Sequence, residues 1–232
     1  RINISLDSLN AERFLRMTRR DMLARVLAGV DAAVAAGFER IKLNTVVMRG
    51  YNDDEIFDLL EYAQTRDIDI SFIEEMPLGE ISSHDRKQAR FSSDEVKHFI
   101  EQRFQLLPSA ETTGGPSRYF RIPGQAGRIG FISPYSHNFC SSCNRLRVTA
   151  EGRLLLCLGQ ENSVDLRSVL RGYPGEPQRL ESLIRDAVCR KPEGHGFTDP
   201  DAPQVLRFMN MTGGEYDHIT GWGQCFLSFV GK

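Results

Sequence analysis

The sequence predicts an α/β fold on a parallel sheet, and three observations carry that expectation. β-branched, strand-like runs alternate with segments of helical periodicity through the first 76 residues. The connections between them are short, which favours right-handed crossovers between parallel strands. The strand-like runs also carry polar residues inside them or at their C-terminal ends, where both barrels and doubly wound sheets gather ligands.

"RINISLD" (1–7) is a short apolar run that closes on Asp7 and Ser8. Over residues 20–36, Met22, Leu23, Val26, Leu27, Val30 and Val34 recur at helical spacing, and Gly37 supplies a stop. "RIKLNTVVM" (40–48) is β-branched and reads as a strand. "NDDEIFDLLEYAQTRD" (52–67) reads as a helix capped by Asn52 and Asp53, with Ile56, Leu59, Leu60 and Ala63 on one face. "IDISFIEEM" (68–76) is the third strand. Ser5, Asp7, Lys42, Asn44, Glu74 and Glu75 are the polar residues facing inward or sitting at strand ends, with Met76 as a soft neighbour.

From about residue 80 the pattern changes. "ISSHDRKQARFSS" is polar and loop-like, and "SSDEVKHFIEQRF" (92–104) opens with a capping box and continues as an amphipathic helix. Residues 117–134 read as a hairpin around Pro123-Gly124, and a second hairpin follows at "RLRVTAEGRLLLCL". Helices are expected near 163–171 and 177–190, ahead of a Gly/Pro/Asp-rich segment.

The chain's 232 residues can bury one large core or two modest ones. Its 41% hydrophobic and 26% charged residues are those of an ordinary globular protein. A net charge of -2 gives no electrostatic footprint for nucleic acid or for a membrane surface, so neither is expected as a partner. The chain opens on Arg1 inside a strand rather than on Met, which is how a fragment starts. Five cysteines make an odd number for a secreted disulfide framework; Cys140, Cys143 and Cys157 fall within 18 residues, while Cys189 and Cys225 stand apart. Clustered thiols without a secretory signal suit a reducing compartment, and a cytoplasmic protein is expected.

The stretch "HNFCSSCNRLR" carries the chemistry. Cys140-x2-Cys143 is followed by thirteen residues and then Cys157, so a metal held by all three requires the chain to fold back. A three-residue loop at Ala150-Glu151-Gly152 would set Thr149 against Arg153 and Cys157 against Arg145, placing Cys143, Arg145, Arg147 and Cys157 on one face. A two-residue turn would send Cys157 to the other face. Three thiolates leave one coordination position open. His137 could complete a Cys3His zinc site, giving a zinc-stabilised binding module on an α/β scaffold. A four-iron cluster would instead keep one iron free for a ligand. A thiol oxidoreductase using Cys140 and Cys143 fits less well, because the pair precedes a hairpin rather than starting a helix. Two guanidiniums beside an open metal suit an anionic substrate, since their forks match phosphate and carboxylate oxygens.

These residues resemble the molybdenum cofactor biosynthesis protein A family, the radical S-adenosylmethionine GTP 3′,8-cyclases. "CSSCNRLRVTAEGRLLLCL" resembles the family's C-terminal cluster motif, "INISLDSL", "IKLNTVVMRGYNDDEI" and "FIEEMPLG" its later barrel strands, and "MNMTGG" its diglycine end. The likeness runs from Arg1 to Gly214. It implies an α/β chain forming the C-terminal part of an incomplete (β/α)6 radical SAM barrel (1–79), then a C-terminal 4Fe-4S and GTP-binding domain (80–214), then an atypical extension (215–232). It implies two 4Fe-4S clusters in the full-length protein: one on an N-terminal CxxxCxxC that cleaves S-adenosylmethionine to a radical, and one that binds GTP. The radical chemistry converts GTP to 3′,8-cyclo-7,8-dihydro-GTP. A homodimer is implied, with the product passing to cyclic pyranopterin monophosphate synthase.

Carried over by position, Cys140, Cys143 and Cys157 match the second cluster's ligands. Arg145, Leu146 and Arg147 match the GTP-contacting run, and Lys42 matches a GTP-binding lysine. Ser5 and Met76 match S-adenosylmethionine contacts. Three departures stand out. No CxxxCxxC is present, so the chain alone is not expected to turn over GTP. Ser71 stands where some members carry an arginine. Gly213-Gly214 is followed by eighteen further residues.

Overall fold

β1 (Ile2–Ser5), β2 (Ile41–Val47) and β3 (Asp69–Glu74) pair side by side in parallel, as their alternation with helices predicts. The computed structural model describes residues 1–79, 83–112 and 114–197. The expected diglycine, Cys225 and the 215–232 extension lie outside the described residues.

Helices α1 (Ala11–Thr18) and α2 (Leu23–Ala35) form the first crossover, and α3 (Ile56–Gln64) forms the second. The sequence pattern misses α1 because Phe14 is its one buried residue; the Asn10 side chain, which accepts from Arg13 N at 3.0 Å, was the available signal. Asn52 does not cap α3. Its amide instead donates to Asp7 O at 2.7 Å and Val46 O at 2.8 Å and accepts from Met48 N, so it stitches the ends of two strands together.

The sheet does not stop near residue 80. After α4 (Arg86–Ala89) and α5 (Ser93–Glu101), which carries the expected Ser92/Glu95 capping box, come β4 (Leu107–Pro108), β5 (Arg118–Arg121) and β6 (Arg128–Ile132). β6 pairs parallel with β3, and β5 and β4 follow antiparallel, giving the order β1-β2-β3-β6-β5-β4. The chain accordingly divides into a unit of residues 1–75 and 84–138 and a unit that includes 76–79, 83 and 139–197.

In the first unit the two faces of the sheet differ sharply. Along β2, Ile41, Leu43, Thr45 and Val47 are buried while Lys42, Asn44 and Val46 are only half-buried. The buried face joins Leu6, Ile70, Phe72, Ile129 and Phe131 to Val30, Ile56, Leu59, Leu60, Val96 and Ile100 from the helices. Each such side chain contributes roughly 1.5–3 kcal/mol by leaving water. The opposite face is a polar row: Asn3 lies beside Lys42, Ser5 beside Asn44, Asn44 beside Ser71, and Ser71 beside Gly130.

The second unit carries the antiparallel strands β7 (Arg147–Val148), β8 (Arg153–Leu155) and β9 (Ser163–Asp165), then α6 (Leu166–Gly172) and α7 (Pro177–Cys189). Residues 163–165, expected at a helix start, are strand. Leu154, Leu156 and Val164 pack with Leu166, Leu180, Leu183, Ile184 and Ala187. Among the described residues no helix is long and apolar enough to cross a membrane.

Glu74 corrects one sequence expectation. It shares the helix-facing side of β3 with Ile70 and Phe72 and does not join the polar row. The residue is 2% exposed, and its carboxylate accepts from Ser93 N at 2.8 Å, from Tyr135 N and Ser136 N at 2.9 Å, and from the Ser136 hydroxyl. It ties the end of β3 to the start of α5 and to the loop after β6. Glu74→Gln replaces one acceptor oxygen with a donor facing these N–H groups. The expected loss is about 2–4 kcal/mol by urea unfolding, and a change below about 0.5 kcal/mol would show that the clamp is unimportant.

Candidate functional site

The cysteine stretch begins with a one-turn 3-10 segment over Cys140–Ser142, in which Cys143 N bonds Cys140 O at 3.1 Å. Residues three apart eclipse in this geometry, so the two thiols of Cys-x2-Cys come to one side. Past Cys143, burial alternates: Cys143, Arg145 and Arg147 are half-buried and Thr149 is buried, while Asn144, Leu146 and Val148 are exposed. Leu146 therefore points its side chain away from the two arginines.

The hairpin then folds back with the three-residue loop expected from Ala150-Glu151-Gly152. Arg147 pairs with Leu155 and Val148 with Leu154, while Thr149 N bonds Arg153 O at 2.8 Å. Continued two residues beyond the last paired position, this register sets Arg145 opposite Cys157. The even-numbered residues Leu154 and Leu156 of the returning chain belong to the helix-packed core, which leaves Leu155 and Cys157 to the face that carries Arg145 and Arg147.

The electrostatics agree with that convergence. Burial pushes the Cys157 thiol up; the Gly159 backbone and Lys191 pull it down, and Cys140 and Cys143 push it further up. Burial lowers the pKa of Arg145, with Cys143 opposing, and lowers that of Arg147, with Arg145 adding to the effect. Both guanidiniums are held partly out of bulk water, Arg145 near the Cys143 thiol, a costly position for a cation without a bound anion. The Arg145 guanidinium also lies 5.5 Å from the Phe139 ring centre.

Among the described residues, no three His, Cys, Asp or Glu side chains close on a single ion-binding point. One tetrahedral zinc with bonds near 2.3 Å would draw its thiolates to about 3.8 Å from each other. A four-iron cluster takes each cysteine on a different iron and so spreads them wider. Cys140, Cys143 and Cys157 form a soft-donor set whose chemistry suits zinc or an iron-sulfur cluster. His137, the fourth ligand of the zinc alternative, is exposed and has its Nε2 2.7 Å from Asp94 Oδ2.

The remaining candidates belong to the first unit, apart from Met76, which falls in the second. Ser5 closes β1 and Lys42 lies on β2, both on the polar face. Lys42 Nζ is 3.5 Å from the hydroxyl of Tyr119, a residue the sequence did not single out because nothing local marks it. Asn44 Oδ1 is buried on the same face and has no hydrogen-bond partner. Ser71 is buried and its hydroxyl lies 3.0 Å from that of Ser117. The two close over Gly130, where a Cβ would sit 2.1 Å and 2.4 Å from them. Glu75 contacts His84 at 2.9 Å and Arg86 at 3.4 Å, and so belongs to an ion-pair group of its own.

The family model described as Molybdenum Cofactor Synthesis C matches residues 68–197, and the chain belongs to that family. The Radical SAM superfamily model matches residues 1–63. The chain is 59% identical over 214 residues to the GTP 3',8-cyclase of Ectopseudomonas mendocina (strain ymp), covering 92% of this chain and 65% of that relative. It is 60% identical over 215 residues to the GTP 3',8-cyclase of Pseudomonas syringae pv. syringae (strain B728a), with the same coverage. It is 58% identical over 214 residues to the GTP 3',8-cyclase 2 of Pseudomonas aeruginosa, again covering 92% of this chain and 65% of the relative. The chain thus spans about 65% of the length of these curated relatives.

Asp7, two residues beyond β1, titrates in an unusual range: burial raises its pKa from 3.8 to about 6, against the hydrogen bond from Val46 N at 2.8 Å. Because the folded value lies above the unfolded one, the group's contribution to stability is complete below pH 3.8 and is lost as pH rises through about 6. Asp7→Asn keeps an acceptor for Val46 and removes the charge. It should be more stable than the parent at pH 7.5 by about 1–3 kcal/mol and equal to it near pH 4, as read by thermal unfolding across pH. An Asn variant with the parent's pH dependence would exclude Asp7 as the titrating group.

Proposed function

We propose that this chain carries the substrate-binding part of a GTP 3′,8-cyclase, with a 4Fe-4S cluster on Cys140, Cys143 and Cys157. The observation that carries this reading is the hairpin register, which brings Cys157 to the face of the half-buried Arg145 and Arg147, directly after the 3-10 turn that carries Cys140 and leads into Cys143. Relatives at about 60% identity are named for the same activity, which supports the assignment.

In this reading, residues 1–79 begin the second half of an incomplete (β/α)6 barrel wall that β6 extends, and within 80–214 the stretch from Phe139 on is the cluster and GTP domain. The wall has helices on one face and a polar row on the other, the arrangement a barrel interior needs. When bound, the cluster supplies one iron with an open position for a donor atom of GTP. Arg145 and Arg147 bind phosphate oxygens with their planar forks, and burial makes each such bond stronger than it would be in water. Leu146, with its side chain turned outward, contributes its main chain. Lys42 adds a positive charge from the polar face, and Tyr119 holds it there. Ser5 and Met76 contact S-adenosylmethionine near the C-terminal ends of β1 and β3. Radical generation belongs to the N-terminal cluster of the full-length protein. That protein acts as a homodimer and passes its product to cyclic pyranopterin monophosphate synthase.

Anaerobic reconstitution of the chain with iron and sulfide should give a brown protein with about four irons per chain, and Cys157→Ala should hold markedly less iron. GTP should perturb the EPR spectrum of the reduced cluster. Arg147→Ala should raise the GTP concentration needed for that change by about ten- to a hundredfold, the worth of one lost charge-assisted contact. A colourless protein carrying one zinc would overturn the reading.

A further inference from the structure

The residues that follow α7 form part of the cysteine site. Lys191 is half-buried and its Nζ donates to Leu156 O at 2.7 Å, the peptide group next to Cys157. Pro192 prevents the helix from continuing, and the chain then runs to Gly194, where a Cβ would sit 3.7 Å from Cys140 Sγ. Two contacts pin this run: Gln160 Nε2 donates to Gly194 O at 2.7 Å, and a Cβ at Gly159 would strike His195 and Phe197 at 2.6–2.8 Å. Four residues thus span from beside Cys157 to beside Cys140, with a lysine at the Cys157 end.

We propose that Lys191 is a positioning residue for the cluster, fixing a positive charge beside the Cys157 ligand and so favouring the cluster's reduced state. The inference rests on the cluster reading above. Three thiolates on a four-iron cluster make the site more negative on reduction, and nearby charge and hydrogen bonding set the potential of such clusters. An ammonium is a compact charge with three donors, and the Leu156 carbonyl occupies one of them.

Two variants separate the charge from the bond. Lys191→Arg keeps the charge. Lys191→Gln keeps an N–H donor for the Leu156 carbonyl and removes the charge. In the reconstituted full chain, a mediated redox titration followed by EPR should give a more negative midpoint for Lys191→Gln and a parental midpoint for Lys191→Arg. The Gln variant should also lose iron several-fold faster to a chelator. A parental midpoint for Lys191→Gln overturns the inference while leaving the cluster reading intact. So does loss of the iron-free fold by circular dichroism, since Lys191 would then be structural. A parent chain that binds no iron overturns the cluster reading itself.

Discussion

The reversal between Thr149 and Arg153 is the constraint on which the cysteine site depends, because thirteen residues separate Cys143 from Cys157 and only a tight hairpin in the right register brings them together. Gly152 makes the reversal possible. Its φ of +79° lies in the left-handed region, and a Cβ there would meet the Arg167 side chain at 2.9 Å. Its carbonyl accepts from Leu166 N at 2.9 Å and Arg167 N at 3.2 Å, which anchors the start of α6 to the turn. The core formed by Leu154, Leu156, Val164 and the two helices then fixes which side of β8 is free. A one-residue slip would bury Cys157 and expose a leucine, so the apolar packing sets the chemistry's geometry.

The first unit obeys a similar rule at larger scale. Helices cover one face of the sheet, and the alternation in β1, β2 and β3 delivers Ser5, Lys42, Asn44 and Ser71 to the other. Lys42 and the buried Asn44 carbonyl would be costly on a face without a polar ligand. The Ser71 and Ser117 hydroxyls close over Gly130, so the polar row here ends in small neutral groups.

Much of this was legible in the sequence. The parallel strands, the capping box of α5 and both hairpins follow from local periodicity and turn chemistry, which act over a few residues. The shared face of Cys143, Arg145 and Arg147 follows from the period of a strand. What was not legible depends on partners far away in the chain. Glu74 reads as a strand-end ligand until Ser93, Tyr135 and Ser136 are seen to claim it. Asn52 reads as a cap until Asp7 and Val46 are found within its reach. Lys191 follows a helix end as many lysines do, and only the fold places it 2.7 Å from the peptide beside Cys157.

In the proposed function, three cysteines hold a cluster with one iron left open to substrate. The most direct measurement is a Mössbauer spectrum of the chain reconstituted with iron-57, recorded without and with GTP. One of the four iron subsites should differ from the other three and should change its isomer shift and quadrupole splitting when GTP binds. Four subsites that GTP leaves unchanged, or an identical spectrum from Cys157→Ser, would contradict it.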